Sequence, residues 1–354
     1  MPLIHDWLLR AVEYGASDLH FVEGYPPTVR LHGELMPLEK QALSGPEVRA
    51  LLLPLLSPDD LAKFEREKNL DFALQLDLPT GPQRFRANYF MSGQEHGACF
   101  RIIPAAIPDF DWANFPVDLA YRLAHFRHGL VLIVGATGSG KTTTLAMIVN
   151  LLCQESGYRI ITIEEPIEYV FARSGASVVT QREVGHDVHS FADGLKFGLR
   201  QDPDVILVGE IRDRETGQMA LSAAETGHLV LSTMHTRDAK GAISRYADIF
   251  PQNVQAEIRA QLSTSLRAVI SQHLLPSATA GGKRELTLEI LFNNSPIASA
   301  IRFGKIESID NCILTSRADG MQTLDESVKR LLQANKISRQ TAEQYVSDPS
   351  VLRR

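Results

Sequence analysis

Gly135 is followed by four residues and then by Gly140-Lys141-Thr142, within "GLVLIVGATGSGKTTTL". This is the G-x-x-x-x-G-K-[ST] spacing, with an apolar strand pattern before it and a helical pattern after it. Glycines let the backbone wrap closely enough for successive N–H groups to face phosphate oxygens, and the following helix N-terminus adds partial positive charge there. A phosphate loop made of Gly135, Ala136, Thr137, Gly138, Ser139, Gly140, Lys141, Thr142 and Thr143 is therefore expected. Lys141 would reach the β- and γ-phosphates of a nucleotide, and the Thr142 hydroxyl would hold Mg2+.

Two further strand patterns end in carboxylates. "QDPDVILVGEIRD" has an unbroken apolar run closed by Gly209-Glu210. In an α/β sheet, ligands sit at the carboxyl ends of parallel strands, and Glu210 there can hold Mg2+ or its water shell. "ITIEEPIEYV", residues 161–170, is a second such strand. Hydrolysis needs a group that orients and deprotonates water, and Glu164 is assigned that role. Glu165, next along the strand, points to the opposite face. Pro166 helps to end the strand, and Glu168 reads as a solvated or pairing carboxylate. His228 and His235 flank the apolar "LVLSTM". Seven positions apart in an extended chain, they face opposite ways roughly 20 Å from each other, which excludes a joint metal site. Each is either a structural strand-end histidine or one that senses the γ-phosphate or relays nucleotide state to a neighbouring subunit. Spacing does not decide between these.

Such strand ends need a sheet to hold them. From "GLVLIVG" onward, strand-type and helix-type segments alternate: a helical "KTTTLAMIVNLLCQE", then "RIITI", "VVTQREV", a helical "SFADGLKFGLRQ", "DVILVGEI", a helical "RETGQMALSAAETG" and "HLVLSTMHT". That order predicts a parallel sheet flanked by helices. Beyond it, Val254, Ile258, Leu262, Leu266, Val269 or Ile270, and Leu274 recur at helical spacing, so the last hundred residues read as mainly helical, with that face in the core.

The first hundred residues read as a smaller α/β unit. Leu3, Trp7, Leu8, Ala11 and Val12 form an amphipathic start that ends near Gly15. "SDLHFVEGYPPTVRLHGELMPL" alternates like strands around a Pro-Pro turn, and "RFRANYFMSGQEHGACFRII" reads as two strands with a polar turn. The intervening "SGPEVRALLLPLLSPDDLAKFEREKNLDFAL" reads as helical, with Ser44 as N-cap and Pro46 and Glu47 supporting the start. "PAAIPDFDWANFP" has three prolines and no sustained period, which suits a linker whose aromatics dock. The division is thus 1–104, a linker at 105–117, and 118–354.

With 354 residues, two domains are the prior. The formal charge of −6 argues against a broad basic surface, and no basic, aromatic-interleaved stretch of the single-strand-binding kind occurs, so nucleic acid is not an expected partner. Cys99, Cys153 and Cys312 are far apart and form no C-x-x-C pair, against a zinc cluster or redox dithiol and consistent with an intracellular address. The N-terminus lacks a signal-peptide pattern, and the densest apolar run, "LLLPLLS", is short and contains Pro54.

The four stretches at 135–142, 163–168, 204–210 and 224–235 resemble, in this order, the Walker A, Asp-box, Walker B and His-box signatures of the secretion-ATPase superfamily. "GASDLH", "RFRAN", "VTQREVG" and "GMQTLDESV" are similar to the PilT family of type IV pilus retraction (twitching-motility) ATPases, so the likeness covers nearly the whole chain. The resemblance implies an N-terminal PAS-like α/β domain and a C-terminal RecA-like P-loop ATPase domain with a helical C-terminal region. It also implies a homo-hexamer binding ATP with Mg2+, docked on an inner-membrane pilus platform protein at the cytoplasmic face. By the same resemblance, Glu164 is the catalytic glutamate, Glu210 supports the metal, and His228 and His235 are the His-box pair. Arg84, Arg86 and Arg101 resemble arginines that approach the γ-phosphate; by themselves they read as strand-surface arginines. The chain departs from the family in three places. Glu165 stands where an aspartate is usual, "MSGQEHG" lacks an arginine, and Ala298 stands where the first arginine of an Ala-Ile-Arg-rich motif is expected, with Arg302 at the second. An accessory PilU-type motor, acting beside a second retraction ATPase, or an ATPase of a conjugative or other pilus or of a secretion system, is the alternative. A nucleic-acid translocase ranks below both.

Overall fold

The computed structural model describes residues 4–353 apart from 32, 80, 105, 156, 173–176, 280 and 281. Leu3 and Ala105, the first residues of the expected opening pattern and of the expected linker, lie outside the described residues. The chain divides into two units: Met1–Ala106 with Pro166–Tyr169, and Ile107–Glu165 with Val170–Arg354.

The first unit is an antiparallel six-stranded sheet of β1 (Asp18–Phe21), β2 (Thr28–Leu31), β3 (Glu34–Pro37), β4 (Asn69–Leu78), β5 (Gly81–Ser92) and β6 (Glu95–Ile103), ordered β3-β2-β1-β6-β5-β4. Strict alternation in β5 buries Phe85, Ala87 and Tyr89 and turns Arg84, Arg86 and Asn88 to the other face. The buried face packs Leu19, Phe21 and Phe100 with Trp7, Leu8 and Ala11 of α1 (Ile4–Glu13). The stretch read as helical forms α2 (Gly45–Leu52) and α3 (Pro58–Glu67), and its last residues enter β4. Glu47 accepts from the Ser44 N–H at 2.8 Å, which fixes the start of α2. Pro54 and Pro58 lack the N–H that a continuous helix requires, and Ser57 instead caps α3 by accepting from the Asp60 N–H.

The second unit opens with α4 (Phe110–Ala113), capped by Asp109, and α5 (Val117–Ala124). Phe115 is buried, and the Lys283 ammonium lies 3.5 Å from the Trp112 ring centroid, so residues 107–117 are packed within this unit. Its sheet comprises β7 (Gly129–Val134), β8 (Arg159–Glu164), β9 (Val178–Glu183), β10 (Val205–Val208), β11 (Leu229–Met234), β12 (Leu266–Leu275) and β13 (Glu285–Phe292). The order is β13-β12-β7-β11-β10-β8-β9, all pairs parallel except β12 with β13. The crossovers carry α6 (Lys141–Gln154), α7 (Phe191–Gly198), α8 (Arg214–Glu225), α9 (Ala239–Asp248) and α10 (Gln255–Ser265). Covered on both faces, β7, β10 and β11 are buried at every residue. After β13 come α11 (Ser295–Arg302), α12 (Ile309–Thr315), α13 (Leu324–Gln333) and α14 (Arg339–Tyr345).

The helical spacing read through 254–274 holds only as far as Ser265. From Leu266 the chain extends into β12, because β-branched Val269 and Ile270 sit between two strands, where both faces are buried. Among the described residues, no helix is long and apolar enough to cross a membrane.

Candidate functional site

β7 delivers the glycine-rich loop to the carboxyl edge of the sheet. Gly135, Gly138 and Gly140 have φ of +150°, +77° and +90°. A Cβ on Gly135 would press into the Gln272 carbonyl oxygen, and one on Gly140 would lie 2.8 Å from Gln272 Nε2. A Cβ on Gly138 would meet nothing within 4 Å. The loop is thus pinned against β12 and open at its tip, where residues 136–138 are exposed. Lys141 folds back over it, Nζ donating to the carbonyls of Gly135 and Ala136 at 3.0 Å each.

The first turn of α6 begins at Gly140, which has no side chain to cap it, so its N–H groups suit an anion. The Ser139 hydroxyl is buried with no hydrogen-bond partner among the described residues. A polar cradle of this kind fits phosphate. Thr142 is exposed in that first turn, as a metal-holding hydroxyl would have to be. Among the described residues, no three His, Cys, Asp or Glu side chains gather as metal ligands.

Three other parallel strands end on the same edge, in the order β11, β10, β8 away from the loop. Glu164 closes β8 and is 7% exposed. Its Oε1 accepts from Thr162 Oγ1 at 2.6 Å and Gln181 Nε2 at 3.1 Å, which fixes the carboxylate. Glu165 diverges from it and pairs with Arg212 at 2.9 Å. Glu210 follows β10, its Oε1 paired with Arg212 Nη1 at 3.1 Å and its Oε2 with His235 Nε2 at 3.3 Å. Side chains of β11 hold this exit in place: Ser232 Oγ donates to the Val208 carbonyl and Thr233 Oγ1 to the Gly209 carbonyl. The edge therefore carries one chain of polar contacts, Glu165–Arg212–Glu210–His235, beside a buried glutamate and a phosphate cradle.

His228 is not part of it. It precedes β11, and its Nδ1 contacts the Ala223 carbonyl at 3.0 Å and Thr226 Oγ1 at 3.2 Å. Parallel pairing sets Leu229 against Gly129 and Met234 against Val134, so His228 lies at the opposite edge, roughly 20 Å from the loop of its own chain.

In the first unit, pairing of Arg86 with Arg101, and of Arg101 with Asp18, puts Arg84, Arg86 and Arg101 on one sheet face. Arg84 Nη2 donates to the Ile167 carbonyl at 2.8 Å, Arg101 Nε pairs with Asp18 at 2.9 Å, and Arg86 lies 3.8 Å from Asp71.

Arg212, Thr162, Gln181 and Gln272 were not singled out from the sequence. Arg212 carried a faint signal, as the only cation within "VGEIRD". The others are uncharged side chains whose partners lie on other elements or, for Thr162, at i+2 along the strand.

The profile of the Type II/IV secretion system protein family matches residues 1–348. Over 346 residues the chain is 39% identical to the type IV pilus retractation ATPase PilT of Pseudomonas aeruginosa, covering 98% of each protein. It is 36% identical over 342 residues to the type IV pilus ATPase PilU of the same organism, covering 97% of this chain and 88% of PilU. The crystal structure of the pilus retraction motor PilT with bound ADP has a TM-score of 0.88 and 40% identity to this chain, covering 100% of it and 99% of that structure.

Proposed function

This chain belongs to the Type II/IV secretion system protein family, and we propose that it is an ATP-hydrolysing motor of type IV pilus retraction. The observation that carries the hydrolytic part is the shared edge: phosphate cradle, His235, Glu210 and Glu164 leave four parallel strands on one side of the sheet. Full-length likeness to a retraction ATPase carries the choice of process.

In this reading the N–H groups of residues 138–143 and the Lys141 ammonium bind the phosphates of ATP. Thr142 and Glu210 would hold Mg2+, which would neutralise charge on the phosphate oxygens. Glu164, held by Thr162 and Gln181, takes the proton of the attacking water. Arg212 and His235 occupy both oxygens of Glu210 and so fix its direction. Arg84, Arg86 and Arg101 supply further positive charge at the γ-phosphate. His228, at the far edge, is left the role of relaying nucleotide state to a neighbouring subunit.

Residues 1–104 act as the N-terminal domain and 118–354 as the ATPase domain, a reading that the partition at Ala106 and Ile107 supports. The working assembly is a homo-hexamer bound to the pilus platform at the cytoplasmic face of the inner membrane. A PilU-type accessory role is the second reading, favoured by Ala298 and by an identity to PilU only slightly below that to PilT.

Deleting the gene, counting surface pili and scoring twitching tests the assignment. Many pili without movement support a main retraction motor. Normal pili with movement intact support the accessory reading, and bald cells would contradict retraction altogether.

A further inference from the structure

Gln272 is 3% exposed in β12, and both ends of its side-chain amide meet the phosphate loop or the helix it starts. Nε2 donates to the Ser139 carbonyl at 2.7 Å. Oε1 accepts from Thr144 Oγ1 at 2.9 Å. The Ser139 carbonyl can only accept, so the orientation of the amide is dictated by chemistry. The backbone carbonyl of the same residue lies against Gly135, and Nε2 lies against Gly140. One residue thus touches the loop at its first residue through its backbone carbonyl, and at its last glycine and in the first turn of α6 through its side chain.

In a planar trans peptide, the C=O of one residue and the N–H of the next point in opposite directions. Drawing the Ser139 carbonyl toward β12 therefore turns the Gly140 N–H away from β12. We infer that Gln272 is a positioning residue for the phosphates of a nucleoside di- or triphosphate, acting by fixing the Ser139–Gly140 peptide plane and tying it to the first turn of α6. The inference rests on the ATPase reading above. The neighbours of Gln272 extend its reach. Ser271 Oγ donates to the Arg237 carbonyl at 2.8 Å and His273 Nε2 contacts it at 3.0 Å, two residues after the histidine paired with Glu210. β12 thus holds the phosphate loop from one face and the segment after β11 from the other.

Two variants of the full-length protein test this: Gln272→Leu, which removes both hydrogen bonds at similar volume, and Gln272→Glu, which keeps the acceptor for Thr144 but loses the donor to Ser139. The readouts are the Kd for ADP, the KM for ATP, kcat and the melting temperature. Both variants are expected to raise Kd and KM about tenfold, the scale of a lost buried hydrogen bond, with kcat within about threefold of wild type. A purely structural role would lower the melting temperature or the number of active sites and leave Kd and KM of the folded fraction unchanged, which would overturn the inference. Failure of Gln272→Leu to fold leaves the isosteric Gln272→Glu to decide. Wild type that binds neither ADP nor ATP would sink the ATPase reading as well, whereas tight wild-type binding with unshifted variants sinks this inference alone.

Discussion

Replacing Glu289 with glutamine should change how the second unit's stability depends on pH. Glu289 sits in β13 opposite Ser271, is 7% exposed, and accepts from the Ala239 N–H at 2.7 Å. Burial pushes its carboxyl up to about 7; the Ala239 N–H and Lys240 oppose the rise, while Asp238 and Asp310 add to it. The folded value lies above the ordinary carboxyl value of 4.5, so between the two the unfolded chain has released a proton that the native state keeps. Stability therefore falls as pH rises through that window and stays lower above it. At roughly 1.4 kcal/mol per unit, the loss between pH 5 and pH 8 is about 2–3 kcal/mol. Glutamine keeps an acceptor for Ala239 and carries no charge. Glu289→Gln should match wild type at pH 5 to within about 1 kcal/mol and exceed it by about 2 kcal/mol at pH 8. Denaturant unfolding followed by Trp112 fluorescence, in a Trp7→Phe background, measures this for the second unit. A variant that loses as much stability as wild type between the two pH values would refute the assignment.

Two further outcomes bear on the site. Arg212→Gln frees Glu165 and leaves Glu210 held through His235 at one oxygen; because the lost pairs are exposed, stability should change by less than about 1 kcal/mol per pair, while steady-state phosphate release falls about tenfold as Glu210 loses half of what fixes its direction. Gly140→Ala forces a side chain to φ +90° against Gln272, costing about 1–2 kcal/mol in unfolding experiments and about tenfold in ADP affinity by titration.

The phosphate loop and the acidic strand ends were legible because each is local: a fixed spacing of glycines, or an apolar run closed by a carboxylate. The same holds for the alternation of β5, which sets the arginine face. β12 was not legible. In "LRAVISQHLL", Leu266, Val269 or Ile270, and Leu274 continue the spacing of the preceding helix, and with both faces buried no polar–apolar alternation marks the change to strand. That misreading hid Gln272, whose meaning depends on β12 lying beside β7. Arg212 was hidden for a different reason. Its partners Glu165 and Glu210 come together only when β8 and β10 pair in register, a tertiary event that no spacing encodes. The separation of His228 from His235 followed from strand rise alone, but that His228 faces the wrong edge required the direction of β11.

Phosphate release by the purified protein with ATP and Mg2+, wild type beside Glu164→Gln, with nucleotide binding measured in parallel, decides whether Glu164 takes part in hydrolysis. Wild type is expected to hydrolyse ATP, and the variant to bind it near-normally with turnover at least ~100-fold lower, the scale of a lost general base. Turnover near wild type in Glu164→Gln would remove Glu164 from the chemistry and contradict the account.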